Sequence, residues 1–287
     1  MAKTQNTEVV VAQPGALVAP AFMDAADFGM GFEGADKDSY AIPFLQLLQK
    51  MSPLVDDDSP KKLEGAKAGM IFNTVTQKLH DVRENPLILI PAAYKRSFIL
   101  WGARDANGGF KGEVTPEEMQ AIIASEKVEL VDGRYLVKDD KGEVNVKKSD
   151  YYADTRSHYV IAIDPETNEA APAILSLASS QIKASKMLLT MLQQKKVDVG
   201  GGVKRTPPTF ANRVKTTTVS QSNEKGTWSG VKFELDGLVT DPDLYQQAKE
   251  FHRAISAGEV KADYSKSADD GSTGAGVAGT PQTAEGF

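Results

Sequence analysis

Residues 210–237 read FANRVKTTTVSQSNEKGTWSGVKFELDG, and the fold is decided here. Val214, Thr216 and Thr218 alternate with Arg213, Lys215 and Thr217. Beyond a polar turn at residues 222–226, Trp228, Gly230, Lys232 and Glu234 share one face, and Val231, Phe233 and Leu235 share the other. Period-two alternation carried by β-branched and aromatic residues predicts a half-buried β-hairpin. Its polar turn predicts a loop longer than two residues, which leaves the register open. One face enters a core. The other carries Arg213, Lys215, Trp228 and Lys232. Cations and flat aromatic surface together suit a single-stranded nucleic acid, whose phosphates need charge and whose bases need a stacking partner. A plain solvated strand pair has the same pattern.

Outside the hairpin, charge is unevenly spread. Between Leu177 and Lys232 the chain carries ten Lys and Arg but only two acids, Asp198 and Glu224, although its net charge is -6. Lys183, Lys186, Lys204 and Arg205 extend the hairpin into a cationic track if the fold brings them together. Each phosphate neutralised on such a track adds salt-dependent affinity through counterion release. Tyr94 and Tyr152 join Trp228 as stacking candidates because cations or turns adjoin them, with Lys95 and Arg96 next to Tyr94. Phe98, Tyr159 and Phe233 stand at positions expected to be core.

The chain of 287 residues fits one large or two small domains, and its 41% apolar and 25% charged residues are ordinary for a globular protein. A net negative charge argues against a globally basic nucleic-acid binder but not against a local groove. There are no cysteines, so disulfide and thiol chemistry are excluded. His80, His158 and His252 share no metal motif. The first residues lack the charge, apolar core and cleavage pattern of a signal peptide, and no run reaches the roughly 18 apolar residues of a membrane span.

Three regions are expected along the chain. Residues 1–38 read as an irregular, Gly-rich and acidic arm. Residues 39–263 read as a single nucleic-acid-binding domain with an insertion near 102–148. Residues 264–287 read as a flexible tail of small polar residues. Within the domain, residues 42–51 read as a short helix or strand, 70–79 as a strand, and 86–101 as two strands broken at Pro91. Residues 115–125 predict a helix with Thr115 as cap, Pro116 at the first position and Glu118 completing a capping box. Strands follow at 128–131, 134–137, 151–163 and 173–177. Helices follow at 179–196 and, capped by Asp241, at 242–256. Asp269, Asp270, Glu285 and the terminal Phe287 are candidate partner-binding residues of the tail.

No catalytic signature emerges. There is no Walker loop, dinucleotide fingerprint or nucleophile elbow. The acidic triplet Asp56, Asp57 and Asp58 lacks calcium-loop spacing. Asp150, Asp154, Arg156 and His158 can be drawn as a nuclease-like cluster, with Asp154, Arg156 and His158 on one face of an early-starting strand. Two-metal chemistry there needs further carboxylates. The chain is therefore expected not to be an enzyme and to use no cofactor.

A family likeness enters through residues 42–55 (IPFLQLLQKMSPLV), 65–76 (GAKAGMIFNTVT), 87–104 (LILIPAAYKRSFILWGAR) and 225–251 (KGTWSGVKFELDGLVTDPDLYQQAKEF). Together they resemble tailed-bacteriophage replication-region proteins described as single-stranded DNA-binding proteins. The resemblance spans most of residues 40–260. It implies an α+β fold whose core is an OB-like β-barrel with inserted and peripheral helices, and the element order of several short strands with Gly-rich turns and a few inserted helices is compatible with it. It also implies binding and protection of single-stranded DNA during phage replication or recombination in the host cell cytoplasm, with no membrane role. The tail then recruits phage replication or recombination proteins, although it is less acidic than such tails usually are. Two alternatives stand beside this reading: a non-enzymatic phage protein-interaction module, and a metal-dependent nuclease using Asp154.

Overall fold

The computed structural model describes residues 19–35, 39–103, 108–224 and 226–267. The predicted tail residues Asp269, Asp270, Glu285 and Phe287 lie outside the described residues. The chain forms β1 (Leu45–Leu47), β2 (Ile71–Asn73), β3 (Leu79–His80), β4 (Leu87–Trp101), β5 (Phe110–Val114) and α1 (Pro116–Ala124). These are followed by β6 (Val128–Val131), β7 (Arg134–Val137), β8 (Tyr151–Ile163), β9 (Ala170–Ala178) and α2 (Ile182–Gln194). A small ribbon, β10 (Val197–Asp198) with β11 (Lys204–Arg205), precedes the long hairpin β12 (Asn212–Asn223) and β13 (Gly226–Leu238). The last helix is α3 (Pro242–Ser256).

The architecture is α+β: a curled, nearly closed antiparallel sheet with helices at its periphery, consistent with an OB-like fold. Its main sheet runs β13-β12-β4-β8-β7-β6, with β5 paired to the end of β4 and β9 to β8. Beyond β9 the curl continues into β1, where Phe44 bridges Ile174 in parallel and the Ile174 N–H donates to Pro43 O at 2.9 Å. At the other end, β13 has an outer edge with no strand beside it among the described residues. Two glutamine side chains take the strand's place. Ser229 N–H donates to Gln49 Oε1 at 2.9 Å, and Gln49 Nε2 donates back to Ser229 O at 3.0 Å. Gln181 Nε2 donates to the same carbonyl at 3.0 Å, and its Oε1 accepts from Val231 N–H at 2.9 Å. Thr218 Oγ1 adds a 2.6 Å bond to Gly69 O. Buried backbone polar groups must be paired, and these amides pair them where the sheet does not close on itself.

Alternation sorts the core into two layers. Inside the curl lie Leu45, Leu87, Leu89, Val160, Leu175, Val231 and Phe233, covered by Leu188 and Leu192 of α2. Outside it, Ile90, Ile99, Tyr159, Ile161 and Ile174 pack against Ala248 and Phe251 of α3. The two hairpin faces follow the sequence pattern: Val231 and Phe233 are buried while Lys232 and Glu234 are exposed. Both capped helices also form as their sequence predicts. Glu118 N–H donates to Thr115 Oγ1 and Thr115 N–H donates back to Glu118, while Asp241 accepts from the Asp243 and Leu244 N–H groups.

Several short strands form as expected, β1, β2, β3, β6, β7, β10 and β11 spanning two to four residues each, while β4, β8, β12 and β13 are longer, with 15, 13, 12 and 13 residues. Three local expectations need correction. Residues 86–101 form one strand rather than two: Pro91 sits at a register irregularity opposite Val160, and β12 pairs with β4 only up to Leu89. The missing proline N–H therefore faces no ladder partner from β12. The hairpin pairs as far as Asn223 with Gly226, so its connection is a two-residue loop and not a longer one. Residues 70–79 divide into β2 and β3 around a turn in which Gln77 has φ 58°.

His158 is buried on the inner layer, with Nε2 2.8 Å from Ser185 Oγ on α2. Burial, reinforced by nearby Arg156, lowers its pKa to about 4 from 6.5. The unfolded chain therefore takes up a proton below pH 6.5 that the folded chain refuses until about pH 4. Stability falls as pH drops through that window, by up to about 3 kcal/mol from this group. Urea unfolding from pH 7 to 4.5 is expected to show this loss, and His158→Gln to flatten the acid limb. A second expectation concerns the seam. Gln181→Leu keeps the side-chain volume but strands the buried Val231 N–H, and urea unfolding is expected to show a loss of about 1–3 kcal/mol.

Candidate nucleic-acid interface

The seam also shapes the surface. Gln181 precedes α2 and spends its amide on β13, so the helix is drawn alongside the hairpin. On α2, Ser185, Leu188 and Leu192 face inward, and Lys183, Lys186, Met187 and Thr190 stand exposed at helical spacing. Between this helix and the hairpin lies a cleft of about 630 Å³. Lys183, Met187 and Met191 line its helical wall, and Val219, Gln221, Trp228 and Lys232 its strand wall. Met187 and Val219 are exposed.

Trp228 is held in place. Its Nε1–H donates to Gln221 Oε1 at 2.8 Å. The Gln221 amide lies across Gly230, where an added Cβ would meet the Gln221 amide atoms at 2.6–2.9 Å. Gly230 is thus the gap that lets Gln221 position the indole. Lys183 lies in the first turn of α2, which contains no acid. A cation there opposes the helix dipole and concentrates positive potential at that end of the cleft.

The other predicted residues fall into three groups. Arg213, Lys215 and Lys232 share the outer face of the hairpin with Trp228, as the alternation predicts. Arg213 pairs with Asp236 at 3.1 Å and Lys232 with Glu234 at 2.6 Å, while Lys215 lies near enough to help lower the Glu234 carboxyl behind Lys232. Lys204 and Arg205 form β11, an exposed ribbon after the C-terminal end of α2, and do not line the cleft. Lys183, Lys186, Lys204 and Arg205 form no ion pair among the described residues. The exposed Lys232–Glu234 pair is screened by solvent and is readily exchanged for a phosphate.

Tyr94, Lys95, Arg96 and Tyr152 lie elsewhere on β4 and β8. Lys95 pairs with Glu113 at 2.8 Å. Asp154 is gripped by Arg96 and Arg156, and Arg156 also donates to Tyr94 Oη at 3.0 Å. Tyr94 packs against His158 with ring centroids 5.2 Å apart, and Tyr152 packs against the small core around Phe98 and Met119. Asp154, Arg156 and His158 do share a strand face. His158, however, is buried against Ser185, and the two arginines engage Asp154. No group of three or more His, Asp or Glu side chains among the described residues is arranged to hold a metal ion. No helix among them is long and apolar enough to cross a membrane.

The sequence did not single out Met187, Met191, Val219 or Gln221 as lining residues. A methionine four residues after Lys183 and next to Lys186 was the available signal for Met187. Gln221 carried none, because its role depends on a gap left by Gly230 on the facing strand.

The architecture and its flank define an OB-like α+β protein with a basic, aromatic cleft beside its longest hairpin. The chain belongs to the Pam3 phage gp34-like protein family, whose model matches residues 11–261. It is thus a bacteriophage-associated protein. No curated protein and no solved structure matches it.

The tether of Trp228 can be tested in a Trp101→Phe background, which leaves Trp228 as the single tryptophan. Gly230→Ala is expected to push the flexible Gln221 amide aside with a small change in melting temperature. Steady-state anisotropy of Trp228 should fall as the indole loses its anchor.

Proposed function

We propose that this protein binds single-stranded DNA along the α2–hairpin cleft and protects it during phage replication or recombination, in the host cell cytoplasm and without catalysing a reaction. The observation that carries the reading is the meeting of Lys183, Lys232 and the tethered Trp228 in one cleft. The lysines hold phosphates, and the indole offers a flat partner to an unpaired base. Lys186, Arg213 and Lys215 extend positive charge along the flanks, and Lys204 and Arg205 supply more beyond α2. Duplex DNA keeps its bases stacked within the helix and cannot use Trp228, so it binds through charge alone. Recruitment of replication or recombination proteins by the C-terminal tail is a further part of the reading suggested by the family resemblance.

A fluorescent single strand of roughly thirty nucleotides, longer than the footprint of one OB-like module, should bind more tightly than its matched duplex. Affinity should fall steeply with added salt. Lys183→Ala should lower the log–log salt slope by about 0.7, the contribution of one phosphate on a single strand. Trp228→Ala should weaken binding by about 1–3 kcal/mol with little change in slope. Absence of binding at low salt, or equal affinity for duplex, contradicts the proposal. Magnesium-dependent shortening of the strand would instead establish a nuclease.

A further inference from the structure

A second feature of the fold has no partner among the described residues. Residues 19–35 fold into a series of local turns, with Asp24 capping residues 25–27 and the Gly31 N–H bound to the Glu33 carboxylate. Their apolar side chains point away from any core: Phe22 is 86% exposed, Met23 51%, Phe28 60%, and Met30 and Phe32 61% each. Five large apolar side chains left in water within a dozen residues mark a protein-binding segment. The segment also carries Asp24, Asp27 and Glu33 and contains no Lys or Arg.

The cleft has the opposite character. Met187, Met191 and Trp228 give it apolar, adaptable walls, and Lys183 and Lys232 give it positive charge. Methionine-lined surfaces accept irregular apolar partners well. An acidic, aromatic segment is therefore complementary to this cleft in both charge and polarity. Among the described residues the segment is exposed and nothing occupies the cleft. We propose that residues 22–33 of one copy dock into the α2–hairpin cleft of a second copy of this chain. The cleft is shared with the proposed DNA site, and an arm seated there would compete with a single strand for Lys183 and Trp228.

Association can be read without nucleic acid, so failure of the DNA reading and failure of this one are separable. Sedimentation velocity of the full chain over roughly a hundredfold range of concentration should show growing association. Phe28→Ser combined with Phe32→Ser disables the arm, and Met187→Glu disables the cleft by repelling the arm's acids. All three positions are exposed, so folding is expected to survive. Each variant alone should stay monomeric, and an equimolar mixture should recover a heterodimer held by the intact arm of one and the intact cleft of the other. A full chain that stays monomeric, an arm variant that associates like the parent, or a mixture that stays monomeric overturns the proposal.

Discussion

The outer edge of β13 is the constraint on which the rest of the structure depends. A curled sheet that stops short of closure leaves a row of backbone groups needing partners, and an open edge invites pairing with another chain. Here Gln49 and Gln181 supply amide groups that mimic a neighbouring strand at Ser229 and Val231. Gln49 follows β1 and Gln181 leads into α2, so the four bonds of these two side chains fix both the near-closure of the barrel and the placement of the helix. The cleft exists because α2 is held beside β13 at its first turn and again beyond its last, where Lys195 Nζ donates to Gly237 O at 2.7 Å.

Charge is distributed to match. Arginines on β4 and β8 and several hairpin cations already have carboxylate partners. The cations of α2 and β11 do not have such partners among the described residues. An acidic protein thus carries a positive flank where the cations of α2 and β11 face no carboxylate partner among the described residues. Counting Lys and Arg along the chain detects the surplus. Only the ion pairs show which of them remain free to meet an anion.

Much of the fold was legible. Capping residues and Pro at the first helical position fixed α1 and α3, because those signals are local and chemically specific. The hairpin faces followed from alternation alone. Continuity of β4 through Pro91 was hidden, because a proline reads as a strand breaker unless the absence of a ladder partner is known. The seam was equally hidden: Gln49 and Ser229 are 180 residues apart, and a glutamine in sequence gives no hint that its amide stands in for a strand. At the site, Trp228 and the lysines were legible as residue types. Their division between the cleft, the β11 ribbon and the Tyr94–Arg156 cluster was not, since that depends on where α2 docks.

The most direct measurement of the central claim is photo-crosslinking of a bromodeoxyuridine-substituted single strand to the full chain, followed by mass spectrometric mapping of the adduct. A base stacked in the cleft lies against the indole, so the account predicts adducts concentrated on the Trp228 peptide and lost when excess unlabelled single strand is added. Adducts confined to the Tyr94–Tyr152 region, or none above those of an unrelated acidic protein, would contradict it.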